Sequence, residues 1–485
     1  MSKKSIAKNY IYNLIYQVLI LVLPLITTPY ISRVLGAENV GIYSYTYSIV
    51  TYFILFGSLG VALYGQREIA YAQENKEART KVFWEICIFR FITVAIATVF
   101  YYFFFIKGQE YQIYYQILIF ELIAAAFDIS WFFQGLEEFK RTVTRNVLVR
   151  IISVTLVFLL VKTKEDLAKF TLIYSLADFL GNLSLWLYLP KYMKGAKIKN
   201  LNVVKHIPQI ILLFVPQIAH QIYNMLDKTM IGKIISDKSE VGFYEQAQKV
   251  IRLSITVVTS LGVVMIPRMA NTFATGDKEK IKKYLKNSFA FVFFLGFPVT
   301  FGIVSIAKAF VPVFFGPGYD KVVLLINIIS PIILLMGIAN VVGTQYLLPT
   351  KKQKEYTISV TVGVIVNFIL NYIFITKHGA VGASIATVIS QLVVDAMQIY
   401  YIRKDVSLKE MFESVPRYFI ASIIMFAFCQ VVKIIIDTGI ISVFAQVIIG
   451  VVIYIITLFI FKDEYLYLVI NKLKEKFIKK NKIEK

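Results

Sequence analysis

Ionisable side chains inside long apolar runs are the groups in this sequence that could do chemistry. In a lipid setting each is costly unless a cavity or a partner meets it. One run carries Gln217, His220, Gln221, Asn224, Asp227 and Lys228. Their spacing, i, i+3, i+4, i+7, i+10 and i+11, draws one polar stripe along a helix. Lipid cannot satisfy such a stripe, and helix–helix hydrogen bonding absorbs two or three of its members at most, so it is expected to line a wet surface. A second run places Glu245, Lys249 and Arg252 on one helix face. At 1.5 Å per residue its two cations lie about 12 to 16 Å below the outer membrane surface. A third carries Glu121 and Asp128, seven residues apart and so on one face, with Ala124 and Ala125 between them. Glu121 falls near the bilayer midplane and Asp128 about two turns deeper toward the cytoplasm. Arg90, at the depth of Asp128, is either its ion-pair partner or part of a solvated cavity face. Arg33, Arg150, Asp178 and Asp395 add charges to other runs, and Asn367 and Asn371, one turn apart, read as helix–helix glue.

The elements that must hold these groups are membrane helices. Of 485 residues, 58% are hydrophobic and 17% charged, against about 45–50% and 25% in soluble domains. That balance excludes a soluble enzyme, a disordered chain and a disulfide scaffold. A membrane helix needs about 20 mostly apolar residues, and 14 such stretches are legible. Six run roughly over 10–32, 41–65, 82–106, 111–135, 143–162 and 168–190. Six more run over 206–232, 241–267, 284–314, 321–349, 355–376 and 379–402, and the last two over 415–436 and 440–461. They are too long and too uniformly apolar for transmembrane β-strands. The first is expected not to be a cleaved signal peptide, since it ends in Pro29, Tyr30 and Arg33 rather than at small residues.

The net charge of +22 does not point to nucleic acid, because the cations are confined to the gaps between apolar runs. With the N-terminus inside, inner segments hold about 36 Lys and Arg and outer ones about 10, the positive-inside pattern. An even number of spans then puts both termini in the cytoplasm. The cluster Lys278, Lys280, Lys282, Lys283 and the tail from Lys472 to Lys485 read as topology and attraction to anionic lipid, with no catalytic role. Cys87 and Cys429 read as small buried hydrophobes, and with three scattered histidines no metal-ligand spacing exists. No phosphate-binding G-x-x-x-x-G-K-[ST] loop occurs, and no cofactor is expected.

Val40-Gly41-Ile42-Tyr43 is echoed by Val241-Gly242-Phe243-Tyr244, and Leu23-Pro24 with Ile26 by Val215-Pro216 with Ile218, six spans on and in the same direction. That suggests two parallel six-helix halves, a known transporter layout. The expected organisation is a six-helix bundle over 1–195, a second over 196–408, and two extra helices with a basic tail over 409–485.

Specific strings carry a resemblance. They are TPYISRVLGAENVGIYSY from Thr28, YGQREIA from Tyr64, DISWFFQGLEEFK from Asp128, LDKTMIGK from Leu226, VGFYEQAQKV from Val241, MIPRMA from Met265, and NFILNYIF with GAVGASIAT between Asn367 and Thr387. In order and spacing the chain resembles the Wzx-type polysaccharide flippases of the multidrug/oligosaccharidyl-lipid/polysaccharide exporter superfamily, over about four-fifths of its length. The resemblance implies two six-helix bundles around a central cavity plus two C-terminal helices. It also implies movement of an oligosaccharide linked to undecaprenyl pyrophosphate from the inner to the outer leaflet, and partners among glycosyltransferases and a polysaccharide polymerase. It further implies a cationic lumen, to which Arg33 and Lys249 are assigned by motif and Arg90, Arg150 and Arg252 by position. Arginine and lysine hold phosphate oxygens by charge-assisted hydrogen bonds. Glu121 and Asp128 are the candidates for coupling a proton or a sodium ion.

Three other readings compete. A lipid II flippase of the same superfamily would share the fold and lumen, but DISWFFQGLEEF favours the polysaccharide branch. A multidrug antiporter would want acid-dominated pockets, which the stretches around Lys228 and Lys249 do not offer. A membrane glycosyltransferase or polymerase would need a sizeable outer loop, and the outer loops here are short.

Overall fold

Wherever the sequence runs apolar for about 20 residues, the chain is helical. A computed structural model describes the backbone of residues 4–193, 201–436, 439–468, 470 and 471, and contains no strand among them. The side chains of 4–18, 20, 21, 215–217, 219, 220 and 224 lie outside the described set. Gln217, His220 and Asn224 of the polar stripe, with Val215 and Pro216 of the repeat, are therefore known here only by backbone.

Among the described residues nineteen α-helices follow one another: α1 (Lys4–Ser58), α2 (Val61–Tyr71), α3 (Lys76–Tyr101), α4 (Gln112–Ile117), α5 (Ile119–Phe127), α6 (Ser130–Gly135), α7 (Phe139–Leu160), α8 (Leu167–Trp186), α9 (Ile207–Ile234), α10 (Ser239–Thr259), α11 (Gly262–Ala274), α12 (Lys278–Phe315), α13 (Asp320–Ile329), α14 (Ile332–Ala339), α15 (Gln353–His378), α16 (Ala380–Ile402), α17 (Leu408–Phe412), α18 (Val415–Ile435) and α19 (Ile440–Ile460). Among the described residues, eleven helical stretches are long and apolar enough to cross a membrane, or twelve if α10 and α11, bent by 40°, form one span. Fourteen stretches were expected, and two places account for the difference. The first two expected spans are continuous through α1 and α2, and Gly36 breaks that run with φ 75° and ψ 172°. A positive φ of this kind suits glycine. The seventh expected span is α9, whose central side chains are not described.

The chain divides into two compact units, Met1–Gly242 and Phe243–Lys485. In the first, Leu59 (φ 42°) and Gly60 (φ 74°) turn α1 into α2. Asn75 caps α3 by accepting from the amides of Glu77 and Ala78, satisfying two of a helix start's orphan donors. Phe83, Trp131, Phe132 and Phe133 form a buried aromatic core within this unit.

In the second unit the basic stretch from Lys278 extends α12 ahead of the apolar run, with Asp277 capping it at the Lys280 amide. Small residues let α15 and α16 meet closely: a β-carbon on Gly382 would lie 2.2 Å from the Phe374 carbonyl oxygen. Asn371 donates to Asn367, with both fully buried, so this pair forms an internal bond within α15. Cys87 and Cys429 are buried and free of disulfides. Large apolar side chains such as Ile434, Ile441 and Ile460 point outward, as a lipid-facing surface requires. The chain is a multi-pass protein of the cell membrane.

Candidate functional site: a polar cavity at a broken helix

The expected fourth span is not one continuous helix. It breaks at Leu118 between α4 and α5, and again at Asp128 and Ile129 between α5 and α6. Asp128 has left the helix (φ −71°, ψ 106°). Its Oδ1 accepts from the Ser130 amide at 2.9 Å, the local bond by which aspartate competes with helix continuation. Glu121 and Asp128 are thus not two positions on one helix face, as their spacing suggested. They nevertheless line the same cavity, because the break swings Asp128 beside Arg90.

A helix that stops inside a membrane leaves its last carbonyls without partners. Side chains from two other helices, α8 and α3, supply them, and α7 braces the donors. Asn182 Nδ2 donates to the Ala124 carbonyl at 2.8 Å and Trp186 Nε1 to that of Phe127 at 2.8 Å, both from α8. Arg90 Nη1, from α3, donates to the Asp128 carbonyl at 3.0 Å, while its Nη2 lies 3.7 Å from Asp128 Oδ2. From α7, Arg145 donates to Ser130 Oγ and to Asn182 Oδ1, each at 2.7 Å. The break is therefore held open by a web centred on two arginines.

Around this web lies a cavity of about 330 Å³. Arg90, Arg145 and Arg150 line it together with Glu121, Asp128 and Asp178, three cations and three carboxylates. Glu121 is 6% exposed. Of the residues singled out from sequence, the cavity brings together Arg90, Arg150, Glu121, Asp128 and Asp178. It does not include Arg33, whose exposed Nη1 donates back to the Pro29 carbonyl at 3.2 Å. Arg252 Nη2 sits 3.3 Å from Glu245 Oε2 on α10, with Lys249 half-buried one turn away. In α9, Asp227 and Lys228 are each 6% exposed while Gln221 is exposed, and Thr229 meets Ser48 of α1 at 2.9 Å.

Two groups of residues escaped the sequence reading. Arg145 and Ser130 lie near the ends of expected spans, and Asn182 offered the only signal, a lone amide in an apolar run. The second group is a buried network. Glu85, fully buried, is 2.9 Å from His206 Nε2 and 2.7 Å from Lys205 Nζ, and accepts from the Asn202 amide at 2.8 Å. His206 Nδ1 meets Tyr64 Oη at 2.6 Å. It ties the start of α9 to α2 and α3, with more than a hundred residues between partners. Outside the spans, Lys238 lies over the rings of Tyr45 and Tyr111. Burial lowers its pKa from the ordinary lysine value, with Glu110 acting in the opposite sense.

An all-helical membrane protein with a discontinuous span around a charged cavity belongs to the class of polytopic transporters that build sites from broken helices. The sequence matches the polysaccharide biosynthesis protein family over residues 6–273, more than half of the chain, and the MatE family over 213–373. The chain belongs to the polysaccharide biosynthesis protein family, the Wzx-type flippases of the multidrug/oligosaccharidyl-lipid/polysaccharide exporter superfamily. It is 25% identical over 410 residues, 83% of this chain and 98% of the relative, to a protein of Escherichia coli (strain K12) named as an O-antigen transporter. It is 26% identical over 212 residues, 44% of each chain, to the low-salt glycan biosynthesis flippase Agl15 of Haloferax volcanii. In fold it is similar to the lipid II flippase MurJ in its inward closed conformation, with TM-score 0.72 and 17% identity over 94% of this chain and 100% of that one. It is also similar to an inward-facing multidrug resistance MATE transporter, with TM-score 0.57 and 12% identity over 79% of this chain and 97% of that one.

Proposed function

We propose that the protein flips a lipid-linked oligosaccharide, carried on undecaprenyl pyrophosphate, from the inner to the outer leaflet by alternating access. It would work as a carrier with no catalysis of its own, alongside glycosyltransferases and a polymerase that build and extend the glycan. Both termini lie in the cytoplasm in this reading, and residues 1–195 and 196–408 act as two halves with 409–485 appended. The observation that carries it is the cavity at the break of the fourth span. Its paired arginines and carboxylates offer donors and acceptors for sugar hydroxyls and phosphate oxygens together. Arg33, Lys249 and Arg252 serve as further phosphate contacts, and the α9 stripe as a hydrophilic wall. The named relatives in Escherichia coli and Haloferax volcanii support the glycan as cargo. Reconstitution in vesicles with an undecaprenyl pyrophosphate oligosaccharide tests the proposal. Flipping should fall at least about tenfold in Arg90→Ala and Arg145→Ala, since each removes a charged hydrogen-bond donor from the cavity wall. Unchanged flipping in folded variants overturns it.

The likeness to MurJ favours a second reading, lipid II as cargo. Parallel vesicles loaded with lipid II separate the two: flipping of lipid II alone would replace the first reading by the second.

A further inference from the structure

Besides the charged cavity, the first unit has an apolar groove of about 660 Å³ running along the seam of α7 and α8. Its walls are leucines and isoleucines from Leu148 to Leu160, of which Leu148, Ile152 and Leu160 are strongly exposed. At 1.5 Å per residue that stretch is about 18 Å long, close to one leaflet of a hydrocarbon core about 30 Å thick. One end differs from the rest. There Lys140, Arg141 and Arg145 line the groove with the hydroxyls of Thr144 and Ser184. Arg141 is held over the Tyr188 ring, 4.6 Å from its centroid. Among the described residues no carboxylate lines the groove, whereas the charged cavity balances three cations with three acids.

We infer that this groove is a binding site for an anionic phospholipid, with an acyl chain along α7–α8 and its phosphate at Lys140 and Arg141. The choice of occupant follows from Gly181. A β-carbon there would lie 2.5 Å from Val149 Cγ2 and 3.3 Å from Arg145 Cδ, so α7 and α8 touch with no room for even a methyl group. Val149 and Arg145 line both the groove and the charged cavity, and at this level the helices form a closed wall between them. A lipid in the groove cannot send a glycan through that wall. Its head group stays at the cationic end, which suits a small phosphodiester. Because Arg145 also holds Ser130 and Asn182 at the helix break, an occupied groove braces the wall behind that web. The site therefore couples bilayer composition to the cavity, and it holds whatever cargo the cavity takes.

The experiment uses the whole protein in nanodiscs of phosphatidylcholine with a minor fraction of phosphatidylglycerol, followed by native mass spectrometry of the lipid retained on extraction. Wild type should retain phosphatidylglycerol. Retention should drop about fivefold for each cation removed, and about 25-fold in Lys140→Ala/Arg141→Ala, from the usual strength of one basic residue near an anionic surface. Leu148→Trp, at an exposed position, keeps the cations and fills the groove, so it should also lose the lipid while melting like wild type. Equal retention in the double variant, or retention unaffected by Leu148→Trp, overturns the site. So does preferential retention of phosphatidylcholine. Displacement of phosphatidylglycerol by equimolar undecaprenyl phosphate would assign the groove to the carrier lipid and overturn the choice of occupant.

Discussion

Gly41 and Gly242 are packed against each other's chain segments in a reciprocal way. A β-carbon on Gly41 would lie 1.7 Å from the Lys238 carbonyl oxygen, and one on Gly242 would lie 2.0 Å from the Ala37 carbonyl oxygen. Each glycine thus meets the carbonyl four residues before the other. Small residues at such crossings let helix backbones approach within a membrane. The two glycines are also the shared residue of the echo Val40-Gly41 and Val241-Gly242, so two short strings that look alike in sequence are neighbours in space. Gly41→Ala and Gly242→Ala should each lower the melting temperature of the purified protein, because backbone rather than a flexible side chain must move, at a cost of about 1–3 kcal/mol or more. Melting at the wild-type temperature in both would show that the crossing tolerates a methyl group.

The capped break of the fourth span gives a graded expectation. Trp186→Phe keeps an aromatic side chain but removes the donor to the Phe127 carbonyl, and should cost about 1–3 kcal/mol by leaving that carbonyl unmet. Asn182→Leu should cost more, since it removes both the donor to the Ala124 carbonyl and an acceptor of Arg145. Chemical denaturation in detergent reads the order, and Trp186→Phe being the more damaging would contradict it.

Glu121 shares its cavity with Asp178 and Arg150, and we propose it as the acid for ion coupling. Flipping by wild type should respond to an imposed proton or sodium gradient, and Glu121→Gln should abolish that response while leaving the variant folded. A mutant with the wild-type gradient response removes Glu121 from the mechanism.

Glu245, Lys249 and Arg252 share one helix face, and the structure places Arg252 at the Glu245 carboxylate. The exposed Arg252–Glu245 pair itself is worth less than about 1 kcal/mol. Stability should therefore change little in Glu245→Gln, Lys249→Ala or Arg252→Ala. Export should be lost in the two cation variants, with normal protein in the membrane. Recovery of export on combining Glu245→Gln with Lys249→Ala would instead mark the cation as an internal ion-pair partner only.

Topology can be read with single cysteines. Lys238 is buried against Tyr45 and Tyr111 and makes a poor label site, but its neighbour Ser236 is exposed, as is Lys278. Ser236→Cys should label from outside only and Lys278→Cys from inside only. The reverse pattern would invert the proposed orientation.

Hydropathy made the helices legible, because apolar length is a property of each segment alone. It also marked Arg90, Glu121, Asp128 and Arg150, since a charge in an apolar run stands out wherever its partner is. The web around them was not legible. Arg145 resembled an ordinary end-of-span cation, and only the tertiary fold reveals that it braces a break in another helix. Glu85 and His206 were likewise invisible as a pair, being 121 residues apart. Gly36 turns the chain in the gap expected between the first two spans, and Gly60 turns it inside the expected span 41–65, so both corners followed from backbone geometry rather than from hydropathy.

The broken fourth span has a consequence for how the protein is made. Its exposed carbonyls are met by Arg90, which precedes it in the chain, and by Asn182 and Trp186, which follow it. A ribosome that has produced only the first 163 residues has therefore delivered a helix whose end still lacks two of its donors. Until α8 leaves the translocon, that end must borrow partners from water or from the insertion machinery. The first unit thus matures as a set, with the sixth span as the piece that lets the fourth one settle into the bilayer.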